Sequence, residues 1–449
     1  MVKVRVKFVC QQCGVSFPKW SGRCDNCGAW NSLLEQAPEA AGKSVVARSA
    51  GQPLKAERIG DVATDTVSER LSTGIADLDL VLGGGLMPGG VALVAGQPGI
   101  GKSTLLLQVA AAIANKNEVL YISGEESASQ VKLRAERLGA KDSEKLDLVA
   151  STNADDVAAT IAAGRYKLAI VDSMQTMSMN EVASAPGTVS QITNSANIII
   201  RAAKSTGTAV LLVGHVTKEG SIAGPKVLEH IVDVVLSFEG DRYGGFKLVR
   251  AIKNRYGSTT EAAIFDMTER GLEIVQNPSA ALLAERREAD GSVVLATTEG
   301  NRPLLVEIQA LVNPTNFGYP KRAASGFDLN RLTLLIAVLE RRTKLKLSES
   351  DIYLNVVGGL KINDPAADLA VCMAIASAAA QRKLKDGAVV FGEVGLGGEI
   401  RSASQVDRRI AEAKKLGFKY AIAPKTAARA GKFVIPATDL RDALNQHLK

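Results

Sequence analysis

The sequence predicts an α/β protein of more than one domain, and three observations carry that prediction. At 449 residues the chain is too long for one ordinary hydrophobic core. Apolar residues make up 46% of it and aromatics only 4%. That balance of small aliphatics and glycine suits helix–sheet layers better than an all-β sandwich. Short apolar runs that read as buried strands alternate with segments of helical period through the middle of the chain. A formal charge of +7 and a pI near 9.0 leave polyanionic partners open, although basic surfaces also serve solubility. No apolar run reaches the roughly 18 residues that cross a bilayer, and the start, MVKVRVKFVC, lacks the apolar stretch of a signal peptide. A cytoplasmic location with no membrane partner is expected. In a reducing compartment cysteines serve as metal ligands or core rather than as disulfides.

The first element is a metal knuckle over residues 1–35. Cys10, Cys13, Cys24 and Cys27 form C-x2-C-x10-C-x2-C. Four thiolates at that spacing close a tetrahedral Zn²⁺ site with no open position for catalysis. A segment with so few apolar residues draws its folding energy from the metal. Two disulfides, or a redox C-x-x-C, are the plain alternatives. Lys19, Trp20 and Arg23 on the knuckle could touch nucleic acid or another protein. The fifth cysteine, Cys372, sits in an apolar helical stretch and reads as core. Residues 36–65 are small and polar, without strand or helix period, and read as a linker.

The second domain, 66–272, is organised around a nucleotide motif. Val91–Ala95 reads as a buried strand and leads into Gly96-Gln97-Pro98-Gly99-Ile100-Gly101-Lys102-Ser103, followed by Thr104 and an apolar-periodic helix. Strand, glycine loop and helix are the context that makes G-x-x-x-x-G-K-S a phosphate cradle. The loop bends its N–H groups round the β-phosphate at the positive helix end. Lys102 neutralises the β/γ oxygens, and Ser103 is placed for Mg²⁺. The expected ligand is ATP with Mg²⁺. Downstream, "KLAIVDS" ends a buried run at Asp172, whose carboxylate would hold Mg²⁺ through water. "EVLYISGEES" emerges at Glu125-Glu126, which either polarises the attacking water or caps the next helix. "TAVLLVGHVTKEG" ends at His215, a sensor of the γ-phosphate or a structural histidine. "KNRYG" then sets Lys253 and Arg255 two residues apart, either at a wet strand end or aimed at an anion.

Taken together, "STGIADLDLVLGGG", the P-loop, "YISGEES", "AIVDS", "VGHVTKEG" and "KNRYG", with the four-cysteine knuckle in front, resemble the RadA (Sms) family of bacterial DNA repair proteins along essentially the whole chain. The resemblance implies a RecA-like ATPase core, similar also to DnaB-type helicases. It implies a DNA-dependent motor, a homo-hexameric ring on single-stranded and branched DNA that promotes branch migration in recombination, with the recombinase RecA as a partner. By the same resemblance Glu125 takes the water-activating place, Asp172 the Walker B place and His215 the sensor place. Lys253 and Arg255 would reach the nucleotide of the neighbouring subunit, as arginine fingers do, with Gly257 letting the backbone turn away. DNA contacts are expected in the loops after Asp172 and His215, through Lys218 and Lys226.

The third domain, 273–449, alternates strands and amphipathic helices and resembles the proteolytic domain of Lon proteases. In "NDPAADLA" the place of the catalytic Ser is held by Ala366, and in "SASQVDRRIAEA" the place of the Lys is held by Asp407. An Ala has no oxygen with which to attack a peptide. An inactive α+β scaffold is expected, with Lys344, Lys346, Arg401, Arg408 and Arg409 as additional basic residues for DNA. An ATP-dependent protease and a KaiC-like signalling ATPase are the rival readings.

Overall fold

A computed structural model describes residues 7–10, 15–30, 32–36, 58–59, 69–140, 143–215, 227–240, 245–315 and 318–448. Cys13, Lys218 and Lys226 lie outside the described residues, as does nearly all of the linker. The chain divides into two compact units. The first comprises residues 1–98, 102–236 and 252–257, and the second 99–101, 237–251 and 258–449.

In the first unit the knuckle forms a three-stranded antiparallel sheet, with Lys7–Cys10 between Ser16–Phe17 and Leu33–Gln36. Its core is small: Cys10, Cys24 and Leu33 are buried, with Phe8 and Phe17 against them. The rest of the unit is built on five parallel strands in the order Val91–Gly96, Ala209–His215, Leu168–Asp172, Val119–Ser123, Leu146–Ala150. The first four are buried along nearly their whole length. Unbroken apolar runs are what a parallel sheet covered on both faces requires.

The helices between these strands start where the sequence supplies caps. Ser127 and Gln130 form a reciprocal capping box at Ala128–Arg137. Asn153 accepts from the amides of Asp155 and Asp156 at Ala154–Ala162, and Thr188 from Gln191 at Val189–Thr206. Ile192, Ala196, Ile199 and Ala203 on the last helix recur at helical spacing and face the core. The segment after Asp172 is partly core as well, since Met174 and Met177 are fully buried. The amide of the buried Gln191 donates to the carbonyls of Val182 and Ser184 and holds the segment against the helix.

The second unit carries a seven-stranded mixed sheet. Its order is Arg322–Ser325, Ser350–Val356, Arg302–Pro314, Ser292–Glu299, Ala388–Val390, Tyr420–Pro424, Val434–Ala437. The helix Asp368–Ala380 is buried on nearly every side, which explains why its sequence shows no polar stripe. Cys372 lies within it, fully buried, and burial pushes its thiol pKa up: it is core, as its apolar neighbours indicate.

Candidate nucleotide site and zinc centre

The carboxyl ends of the parallel strands gather the predicted chemistry. Strand Val91–Gly96 turns through Gln97–Gly101 into the helix Lys102–Ala114. The turn needs a φ of +114° at Gly101, a value that residues with a Cβ rarely adopt. Lys102 begins the helix almost fully buried, and its ammonium donates to the carbonyls of Gly96 at 2.8 Å and Gln97 at 2.9 Å. The strand ending at His215 lies between the P-loop strand and the strand ending at Asp172. This insertion brings the imidazole to the lysine, with Lys102 Nζ 3.2 Å from His215 Nδ1. An ammonium has only protons to give, so Nδ1 is the acceptor and Nε2 carries the ring proton. Nε2 then donates to Glu125 Oε1 at 3.1 Å.

Glu125 is thereby separated from its neighbour. Its Oε1 also accepts the hydroxyl of Ser173, and the hydrogen bond from His215 is the main reason its pKa falls to about 2, against the opposing effect of burial. Glu126 points elsewhere, accepting from Arg134 at 2.5 Å. The helix that follows is capped by Ser127 and Gln130, so neither glutamate side chain is its cap. Asp172, on the adjacent strand, accepts the hydroxyl of buried Tyr121 at 2.8 Å. Burial, ahead of the charge of Asp172, raises the Tyr121 pKa well above its ordinary value. Tyr121 and Ser173 fall inside the strand-end motifs, but motif spacing gives them no role. The signal for Tyr121 was available, because a phenol inside an otherwise aliphatic buried strand needs a hydrogen-bond partner. Ser173 is brought to Glu125 only by strand order.

Lys253 and Arg255 are elsewhere in the first unit. Asp233 is buried and receives the Val91 amide on Oδ2 at 3.1 Å and the Arg255 guanidinium on Oδ1 at 3.0 Å. Both cations therefore belong to the amino end of the P-loop strand. Its residues Val91 to Gly96 rise about 16 Å before the loop begins, so these cations lie far from their own P-loop. The ammonium of Lys253 donates to the carbonyls of Glu229 at 2.7 Å, His230 at 3.3 Å and Val232 at 2.8 Å. It closes the end of the short helix Val227–Ile231, whose last carbonyls lack partners within the helix. The backbone bends at Gly257, as expected, but the bend is not what requires a glycine. Gly257 is not in the left-handed region, and a Cβ there would stand 2.8 Å from the Cα of Gly83. Close packing of two backbones, not a turn, is what excludes a side chain.

The residues present fit Mg²⁺ and Zn²⁺. Ser103 and Asp172 offer the hard oxygens that Mg²⁺ takes beside phosphates. In the knuckle the sulfurs of Cys10, Cys24 and Cys27 lie within 4.8 Å of one another, with Cys10 and Cys27 3.6 Å apart. Two thiolates on one tetrahedral zinc at about 2.3 Å stand roughly 3.8 Å apart. None of the described cysteines is in a disulfide. The chain takes ATP with Mg²⁺ and a structural Zn²⁺.

The P-loop strand, with the strand ending at His215 beside it and those leading to Asp172 and Glu125 beyond, defines a RecA-like P-loop ATPase. A family model described as AAA domain matches residues 56–221, Rubredoxin metal binding domain residues 8–35, and Subunit ChlI of Mg-chelatase residues 333–427. The chain is 47% identical to the DNA repair protein RadA of Halalkalibacterium halodurans, covering 98% of this chain and 96% of that protein. It is 46% identical to the DNA repair protein RadA of Pseudomonas aeruginosa, covering 99% of each, and 46% identical to that of Bacillus subtilis, covering 94% and 93%. Among solved structures, that of the RadB recombinase aligns with 46% of this chain and all of its own, at 23% identity and a TM-score of 0.38. The chain belongs to the RadA family of DNA repair proteins, with an N-terminal zinc ribbon, a RecA-like ATPase core and a C-terminal ChlI/Lon-like domain.

Proposed function

We propose that this chain is a ring-shaped motor, a homo-hexamer that hydrolyses ATP to move along single-stranded DNA and to drive branch migration of recombination intermediates. The observation that carries the reading is the hydrogen-bonded chain Lys102–His215–Glu125. It joins the lysine of the phosphate loop to the carboxylate that would polarise the attacking water. It passes through a histidine at the carboxyl end of a strand, directly before the segment expected to hold DNA. When a triphosphate takes the ammonium of Lys102, Nδ1 of His215 loses its donor and the ring can reorient, which alters its grip on Glu125. Mg²⁺, held by Ser103 and through water by Asp172, would neutralise charge on the phosphates. Arg255 would approach the nucleotide of a neighbouring subunit from its strand end. Its side chain is half-exposed, and Asp233 holds it from one side. Lys253 shares that end and would have to exchange three carbonyl partners for a phosphate, so its first service is to hold the strand end in place.

In the C-terminal domain Ala366 and Asp407 support an absence of peptidase activity. The working arrangement assigns residues 66–272 to the motor and 273–449 to assembly and further DNA contact. Processing of strands already held by a RecA recombinase is the context that family membership suggests. The reading is tested by measuring ATP hydrolysis with and without oligo-dT at low and high salt, alongside mass in solution. Stimulation that weakens with salt, in a species of several subunits, is expected. A monomer whose rate ignores the oligonucleotide would overturn it.

A further inference from the structure

The chain has two tryptophans, Trp20 and Trp30, and both lie in the zinc knuckle. Both are exposed, at 58% and 73%. An indole is among the costliest side chains to leave in water. A knuckle whose core is Cys10, Cys24 and Leu33 has no room to bury two more large rings.

The rings share one face. Viewed from Gly22, the edges of both indoles lie about equally near: a Cβ built at Gly22 would stand 3.9 Å from Trp20 Cη2 and 4.0 Å from Trp30 Cζ3. The backbones of Arg23 and Trp30 are bridged as in an antiparallel pair. Arg23 is fixed by donating Nε to the carbonyl of Gly28 at 3.1 Å, which sets its guanidinium 5.9 Å from the centre of the Trp30 ring. Lys19, next to Trp20, is exposed. Five of the first 35 residues are basic and two acidic.

We propose that Trp20 and Trp30, with Lys19 and Arg23 beside them, form a base-stacking platform for single-stranded nucleic acid. Two flat rings held by a rigid metal knuckle can take unpaired bases without regard to sequence, while the two cations meet the phosphates. A duplex, whose bases are already stacked, offers such rings nothing. The inference rests on the DNA-motor reading and extends it: the knuckle would grip unpaired strand independently of the ATPase loops.

Because both tryptophans of the chain are in the platform, the emission of the full-length, zinc-loaded protein reports on it alone. Titration with fluorescently end-labelled oligo-dT gives binding from anisotropy and stacking from quenched tryptophan emission. Quenching by oligo-dT but not by an abasic strand of equal length is expected. Trp20→Ala and Trp30→Ala should each weaken oligo-dT binding by roughly 5- to 100-fold, with the basal ATPase rate unchanged. Anisotropy that rises while emission stays constant would overturn the platform and leave the DNA-motor reading standing, as would equal quenching by the abasic strand. A response in neither signal would remove both.

Discussion

Arg409 is fully buried and donates its Nη1 to Asp364 at 2.7 Å, while the other carboxylate oxygen of Asp364 accepts the amide of Ala366 at 3.0 Å. The guanidinium also donates to the carbonyls of Ser404 and Ala296. An ion pair thus stands next to the position where a Lon-type peptidase would carry its serine. It also withdraws Arg409 from the basic residues that sequence suggested for DNA: a guanidinium with no exposed surface cannot reach a phosphate.

Breaking this pair from one side should be costly, because the remaining charge is left buried. Arg409→Met is expected to lower stability by about 3–5 kcal/mol, with Arg409→Met/Asp364→Asn closer to the wild type than the single variant. Denaturant unfolding measures both. Ala366→Ser should release no fluorescence from labelled casein, since Asp407 stands where the lysine would be needed.

The two cations of the KNRYG segment should separate by readout. Lys253→Met strips a charged donor from three backbone carbonyls and is expected to cost about 1–3 kcal/mol in unfolding experiments. Arg255→Ala leaves the buried Asp233 with the Val91 amide and a more distant Lys204, so it should cost a comparable amount of stability but also lower DNA-stimulated hydrolysis. Mixing Arg255→Ala with Lys102→Ala protein should restore part of the rate, because each variant supplies what the other lacks across a subunit boundary. Mixtures no faster than the sum of their parts would argue against action in trans.

Glu125 and Glu126 are adjacent in sequence but differ in surroundings, so their substitutions should differ too. Glu125→Gln should keep ATP binding, followed with a fluorescent analogue, and lose roughly 10²–10⁴ in kcat. Glu126→Gln removes the contact with Arg134 and should change kcat by less than about threefold.

Stability should also depend on pH through Glu125. Its folded pKa, about 2, lies below the ordinary glutamate value because His215 and Ser173 donate to the ionised form. The stabilisation is therefore fully present above the ordinary value of about 4.3 and fades as pH falls toward 2. The side chain is 42% exposed, so solvent screening reduces the effect. The melting-temperature gap between wild type and Glu125→Gln should be widest near neutrality and narrow steadily below pH 4.5. A gap independent of pH would remove His215 and Ser173 as partners of the ionised carboxylate.

Motifs whose chemistry is local were legible without a structure. The P-loop lies on one contiguous strand, turn and helix, and the C-x-x-C pairs carry their ligands at fixed short spacing. Apolar runs ending in Asp172, Glu125 and His215 announced buried strands with chemistry at their carboxyl ends. What sequence could not provide was strand order. Only the insertion of the His215 strand between those of the P-loop and Asp172 makes Lys102, His215 and Glu125 one hydrogen-bonded chain and sends Glu126 away from it. In the same way, Asp233 and Arg255, 22 positions apart, close into an ion pair anchored at Val91, and a glycine is demanded at 257 by the approach of Gly83. Local spacing settles which groups are present, because it acts through covalent geometry. Long-range packing decides which of them meet, because each contact needs two distant segments to be buried together.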